Sequence, residues 1–291
     1  MEEKSVDDVY SWSEEGVVKV NKQDDPSPAP VKKRVKSRMK LQQIGLPLAA
    51  GIVMLLLWEW QVLHQIFGLQ TYQLPIPSTI VEALVENAPL LLSYTGYTMT
   101  EAVLGMLIGS SLGFVVALMA TAWPRWGRGG LLVIASLNAV PIVALAPIMN
   151  LWFGSGIGSR IAIVTVITLA AMAINAHKGM KMVDPLALDL MHAYAAKKTE
   201  VFRYLRIMNS LPYVFTALKI NTTASMIGAI VGEFFFSSKG LGYLLSNSIK
   251  VAKMPLGWSC IVVAAIAGVV FYLLVEWLER RMLKWHVSHR A

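Results

Sequence analysis

Six stretches of mainly apolar residues recur along this chain, at 44–63, 94–121, 130–152, 157–174, 211–236 and 258–278. Each approaches or exceeds the roughly 20 residues that a helix needs to cross a bilayer core. In hydrocarbon every backbone N–H and C=O must be paired within the fold, so continuous apolar runs of this length cross as helices. The expected fold is therefore all-α, a polytopic bundle of about six transmembrane helices. Composition agrees: 55% of the 291 residues are hydrophobic and 15% are charged, against about 25% charged in ordinary soluble domains.

The net charge of +8 could suggest nucleic acid, but its placement argues for a membrane and against a nucleic-acid partner. The tail, the 123–129 link, the polar island at 175–210 and the C-terminus hold 21 of the 26 Lys and Arg. The intervening links hold Arg160, Lys239, Lys250 and Lys253, and Lys219 falls inside a span. Cytoplasmic loops carry the excess of cations, which predicts cytoplasmic termini and a cytoplasmic island. Eight of the nine tryptophans, among them Trp58, Trp123, Trp152 and Trp277, sit near segment ends, as an aromatic belt requires. Residues 1–40 are polar, with Pro26, Pro28 and Pro30 before the basic run KKRVKSRMK, and read as a disordered cytoplasmic tail. They hold no apolar signal-peptide core, so the first apolar segment is expected to act as an uncleaved anchor. The transmembrane domain is placed at 41–285 and a short cytoplasmic end at 286–291.

Several spans carry polar or small residues in a pattern. Gly105, Gly109 and Gly113 repeat every fourth residue in the second, the spacing that lets another helix approach closely, within the subunit or across a dimer. Glu101 lies one turn earlier on that face, and both a structural hydrogen bond and a transport role are open for it. The third span contains Pro141 and Pro147, with Ser136, Asn138 and Asn150 nearby. Proline removes a backbone donor, which predicts a broken helix lining a pathway, with a simple kink as the alternative. A bent or re-entrant pairing of the third and fourth segments is also open, since the link between them is short. In the fifth span Asn221, Ser225, Gly228 and Gly232 share one stripe, and Thr222, Met226, Ala229 and Glu233 the next. A small polar face suits a solute path or a packing seam, and buried Glu233 favours the path. Gly240 and Gly242 then mark an outer turn or short re-entrant element.

Other chemistry is missing. One cysteine, Cys260, excludes an intrachain disulfide and a cysteine metal cluster, and the five histidines lack metal-site spacing. Phosphate-binding glycine loops are absent, so no cofactor is expected in this chain and any ATP and Mg belong to a partner. The halves show no clear inverted repeat of the kind found in secondary transporters. The island carries Lys178, Lys181, Lys197, Lys198, Arg203 and Arg206 and has a helix-forming run from Pro185 to Arg206 with proline at its front. It suits a docking helix for a soluble ATPase, and an amphipathic helix lying on the membrane would look similar.

Together, LPIPST at 74–79, the glycine helix, NAVPIVALAPIMNLWFGSGIGSR at 138–160, the island ending in Leu211-Pro212, and IVGEFFFSSKGLGYLL at 230–245 resemble the permease subunit of bacterial ATP-binding-cassette importers. The group resembled moves sulfonates, taurine, nitrate, bicarbonate and thiamine or flavin precursors. The resemblance covers roughly residues 45–285. It implies a type I importer permease fold in the bacterial inner membrane and no catalytic or metal residue in this chain. It also implies a permease homodimer, two cytoplasmic ATPase subunits and an extracytoplasmic binding protein. The family's coupling motif begins Glu-Ala-Ala, has glycine four residues later and ends near Leu-Pro. Here Asp189-Leu190-Met191 takes the first place and Ala195 that of the glycine. The coupling residues it implies are Asp189, His192, Ala193, Ala195, Ala196, Lys197, Leu211 and Pro212. The path is assigned to Asn138, Pro141, Asn221, Thr222, Ser225 and Glu233. Lys219, near a cytoplasmic end, is the one cation read inside a span, which leans the solute towards a neutral or aromatic heterocycle. An ion-coupled secondary transporter using Glu101 and Glu233, and a scaffold that recruits a cytosolic protein, are the alternatives.

Overall fold

The computed structural model describes residues 10–13, 16–19 and 34–283. It divides into two units, Met1–Leu56 and Leu57–Ala291. The first contains two antiparallel strands, β1 (Tyr10–Ser13) with β2 (Gly16–Lys19), within the stretch 1–40. It also contains most of helix α1 (Arg34–Glu59), which crosses the division. The proline-rich part of the tail, Trp285 and residues 286–291, expected as a cytoplasmic end, lie outside the described residues.

The second unit is helical. In chain order it has α2 (Val62–Phe67), α3 (Pro77–Glu86), α4 (Ala88–Ala122), α5 (Pro124–Leu137), α6 (Ile142–Phe153), α7 (Ile157–Lys181), α8 (Pro185–Ala193) and α9 (Lys198–Glu200). A π-helical turn, Val201–Ile207, leads into α10 (Met208–Phe236), followed by α11 (Leu241–Lys250) and α12 (Met254–Met282). Among the described residues four helices are long and apolar enough to cross a membrane: α4, α7, α10 with the segment before it, and α12. Counted as one span, the bent pair Gly129–Leu137 and Ile142–Phe153 brings the number to five. The sequence predicts about six; the first apolar segment holds the shorter apolar helix Gly45–Glu59, which ends where Gln61 turns left-handed at φ 60°. The fourth span is longer than its apolar run, because α7 continues through Asn175, His177 and Lys178 to Lys181. Cations in the last turn of a helix meet the negative end of its dipole, so the polarity of these residues does not end the helix.

Small residues line the closest helix contacts beside larger buried ones such as Ile163 and Met172, while Leu107, Leu112, Met119, Ile227, Val269 and Leu274 stand exposed on the outside, where lipid solvates them. At the centre α4 meets α7. A Cβ on Gly105 would strike Val164 and the Ile161 carbonyl; on Gly109, Thr168 and Thr165; on Gly113, Leu169 and Met172. The glycine seam therefore faces α7 of the same subunit. α10 lies across both helices, with Gly228 against Ile167 and Val164, and Gly232 against Ile163 and Arg160. Ala102, Met106, Val164, Met226, Ala229, Phe271 and Val275 form one buried cluster tying α12 to these three.

The third span breaks at Pro141. α5 ends in tight turns, with Asn138, Ala139 and Val140 each donating to the carbonyl three residues back. Pro141 has no N–H and disfavours helical backbone at Val140, so α6 restarts in a new direction, bent by 97° from α5. Pro147 is carried inside α6.

The seam makes a contrast testable. Gly96, on the same helix, has open space around its missing Cβ. Gly109→Ala should lower thermal stability in detergent by about 2 kcal/mol, because α4 must move off α7. Gly96→Ala should raise it by up to about 1 kcal/mol through helix propensity. Equal effects on the melting temperature would contradict the seam.

Candidate functional site

Polar side chains gather in three places: the island, the middle of the bundle, and the turn after α10, at the end of that helix remote from the island.

The island is shorter than its polarity suggests, since helices take both its ends. α8 begins after Asp184, whose carboxylate caps it by accepting from the Leu186 N–H at 2.9 Å. None of its residues is buried. Leu186 (76% exposed), Leu190 (58%) and Tyr194 (78%) repeat every fourth residue, forming an apolar stripe left uncovered by the described residues. Asp189, His192, Ala193, Ala195 and Lys197 are exposed and Ala196 is half-buried. α8 closes in a Schellman turn: the Ala196 N–H reaches the Met191 carbonyl at 3.0 Å and the Ala195 N–H that of His192 at 2.9 Å. Ala195 itself is left-handed, at φ 51°. An alanine thus holds a conformation that glycine adopts without a Cβ penalty. The Glu200 carboxylate then accepts from the Lys197 N–H at 2.7 Å, starting α9. The Asn209 amide binds the end of α7 by donating to the Gly179 and Met182 carbonyls at 2.8 and 2.7 Å. Leu211 and Pro212 lie half-buried in the first turns of α10.

In the middle of the bundle, Asn221, Thr222 and Ser225 have no exposed surface. The Asn221 amide donates to Ser110 Oγ on α4 at 3.0 Å and to the Thr168 carbonyl on α7 at 2.9 Å. Thr222 and Ser225 bond back to their own helix. Asn138 and Pro141 stand apart from them, exposed at the α5–α6 break.

At the remote end Glu233 is fully buried. Its carboxyl oxygens accept from the Thr98 hydroxyl at 2.8 and 3.0 Å and from the Gly242 N–H at 2.8 Å. Gly240, at φ 96°, lies directly against that carboxyl, where any Cβ would overlap it. Beside it Arg160 donates from Nε to Glu101 at 2.6 Å and from Nη1 to the Ser155 carbonyl at 3.2 Å. A second pair, Lys219 with Glu279 at 2.7 Å, joins α10 to α12. The described residues contain no group of three His, Cys, Asp or Glu placed to hold a metal.

Several of these partners escape sequence reasoning. Arg160 reads as part of a link, whereas it lies in the first turn of α7 and is the partner of Glu101. Thr98 and Glu279 carry no local signal, because each acts on a helix distant in the chain. Tyr194 does carry one, since it continues the Leu186–Leu190 spacing, but it is absent from the residues the sequence singles out.

A family model described as "Binding-protein-dependent transport system inner membrane component" matches residues 105–284, more than half of the chain. The chain is 27% identical to the formylaminopyrimidine transport permease protein ThiX of Halalkalibacterium halodurans, over 80% of this chain and 93% of the relative. It is 28% identical to the riboflavin transport system permease protein RibX of Chloroflexus aurantiacus, over 89% of this chain and 97% of the relative. Among solved structures it superposes on a chain of the MetNI methionine ABC transporter in an inward-facing conformation, with TM-score 0.60 and 14% identity. That match covers 67% of this chain and 97% of the other.

The strained alanine gives the island a test. Ala195→Gly should slow trypsin cleavage at Lys197 and Lys198 about fivefold, as about 1 kcal/mol of local strain is released. Ala195→Val should speed it. Cleavage rates that do not depend on residue 195 would contradict the Schellman turn.

Proposed function

The chain belongs to the binding-protein-dependent transport system inner membrane component family, and from that membership we propose how its parts move a solute. It is a multi-pass permease subunit of an ATP-binding-cassette importer for small solutes and is not itself the ATPase. Its working partners are an ATPase and a binding protein. The finer assembly proposed is two copies of this chain, two ATPase subunits carrying ATP and Mg, and one binding protein on the outer face. The island and both termini face the cytoplasm.

α8 is the coupling helix. The observation that carries this is its stripe of Leu186, Leu190 and Tyr194, exposed in a segment that is otherwise polar and basic. An apolar stripe at helical spacing fits a groove on another protein. Asp189, His192 and Lys197 rim it, and Ala193, Ala195 and Ala196 let a partner approach closely. Movement imposed there passes through α9 and the π turn into α10, which runs without interruption to Phe236. Leu211 and Pro212 begin that path of force.

The solute path is proposed to follow the α5–α6 break, with Asn138 and Pro141 exposed along it where two copies meet. Asn221, Thr222, Ser225 and Glu233 are buried within one subunit, and Asn221 and Glu233 bond α10 to its neighbours. The same burial weighs against an ion-coupled transporter, since Glu101 and Glu233 are buried and each bonded within the subunit. Two cations set within the spans are partnered: Arg160 by Glu101 and Lys219 by Glu279. Asn138 and Pro141 bring no charge to the proposed path, which suits a neutral or heterocyclic solute, such as the vitamin precursors named for two relatives.

Leu190→Asp puts a charge where apolar contact is needed. Co-purification of the ATPase subunits should fall about tenfold, equivalent to about 1.4 kcal/mol, while the permease melts as before. Undiminished co-purification and transport would remove α8 from the docking surface.

A further inference from the structure

The start of α11 lacks a cap of its own. The first N–H groups of any helix have no partner within it, and a side chain just before the helix commonly supplies one. Here the preceding residue is Gly240, which has no side chain and sits at φ 96°. Two other helices supply the missing acceptors. The Leu241 N–H donates to Thr98 Oγ1 of α4 at 2.9 Å, and the Gly242 N–H donates to Glu233 Oε2 of α10 at 2.8 Å. Thr98 then closes the circuit by donating its own proton to the Glu233 carboxyl. Neither Thr98, Glu233, Leu241 nor Gly242 is exposed, so water cannot take over these bonds. The close fit is fixed on both sides: a Cβ on Gly240 would overlap the Glu233 carboxyl, and one on Gly242 would overlap the Ile230 carbonyl.

Glu233 lies 25 residues beyond Met208 on one continuous helix, about 38 Å along its axis. At the near end of that helix is the island. Next to the cap, the Arg160–Glu101 pair joins α7 to α4, with the Arg160 stem packed under Gly232 of α10. Four helices thus meet at a dry polar knot, and three of them form the glycine-packed core.

We propose that Glu233 and Thr98 are positioning residues that cap α11 from outside, fastening this helix to α4 and α10 so that it moves with them as one block when access switches. This rests on the permease reading. A solute need not touch either residue. Loosening the cap frees α11 from the helix that carries force from the ATPase, and the outer face then stops following the inner one.

The test is a distance. Spin labels on Leu92→Cys of α4 and Lys250→Cys of α11, both at exposed positions, report the separation of the two helices by double electron–electron resonance. Cys260 is buried and needs no replacement. Measurements are made on the permease in detergent and on the transporter assembled with its ATPase, before and after trapping with ATP and vanadate. With each labelled copy paired to an unlabelled one, a single narrow within-subunit distance is expected, moved by trapping less than about 2 Å, the scale of ordinary helix shifts at interfaces. Thr98→Val should broaden the distribution or shift it further, and Thr98→Ser, which keeps the hydroxyl, should restore it. If Thr98→Val does not accumulate, Glu233→Gln is measured in its place, since an amide presents a donor where Thr98 and Gly242 also donate. A larger shift on trapping in the chain without cap substitutions overturns the proposal. So does a Thr98→Val or Glu233→Gln chain as narrow and still as the control. The detergent arm needs no ATPase, so failure to assemble would count against the permease reading and not against the cap.

Discussion

The approach of α4 to α7 through Gly105, Gly109 and Gly113 is the contact on which the rest of the bundle depends. Lipid tails are as apolar as leucine, so burying large side chains gives helices in a membrane little reason to associate. Close backbone contact and interhelical hydrogen bonds must do that work. With α4 against α7, the Thr168 carbonyl of α7 and Ser110 of α4 come within reach of one amide, Asn221 of α10. The same approach brings Arg160 of α7 to Glu101 of α4. A wider spacing would leave each of these groups buried without a partner, at a cost of about 1–3 kcal/mol apiece.

From that seam the two ends of the molecule diverge. At the end remote from the island, polar groups face inward and are bonded: Glu233, Thr98, Arg160 and Glu101 sit in a dry knot. At the island the polarity faces outward, and α8 leaves its leucines uncovered. None of its residues is buried, and the Asn209 bonds fasten α10 to the end of α7 just before α8 begins. As the proposed docking element, a helix held in this way can follow a moving partner and still pass force into α10, whereas the knot is suited to keeping its helices in register. This division agrees with a machine driven from one face whose opposite face must respond.

Much of this is legible in the sequence, for reasons that are local. Spacing of four places three glycines on one face whatever lies opposite, although only the structure shows that α7 of the same subunit fills it. Pro141 ends a helix by its own geometry, so a break in the third span can be read directly. The apolar runs locate the spans, but not their ends, since α7 runs two turns past Ile174 on residues whose charge suits a helix terminus. The polar stripe of α10 shows the limit. Periodicity groups Asn221, Ser225 and Glu233 towards a common side and cannot say whether water or another helix covers it. A buried polar face and a channel face have the same period. What separates them is the identity of the acceptors and donors opposite, here Ser110, Thr168, Thr98 and Gly242, most of which lie far away in the chain.

Ala195 shows how a position can outlast its residue. The resemblance places glycine there, and the left-handed φ supplies the physical reason a glycine suits it. Alanine keeps the turn because the Schellman bonds from Ala195 and Ala196 close it, at a strain of about 1–2 kcal/mol. That strain falls on the exposed island, where opening the turn lets water satisfy the freed carbonyls, and not in the membrane, where nothing would. The same substitution at Gly240 has no such outlet. There a Cβ meets the Glu233 carboxyl inside a dry site, so the left-handed conformation and the close approach both demand glycine. Tolerance at one positive-φ position and strictness at the other follow from which of them water can reach.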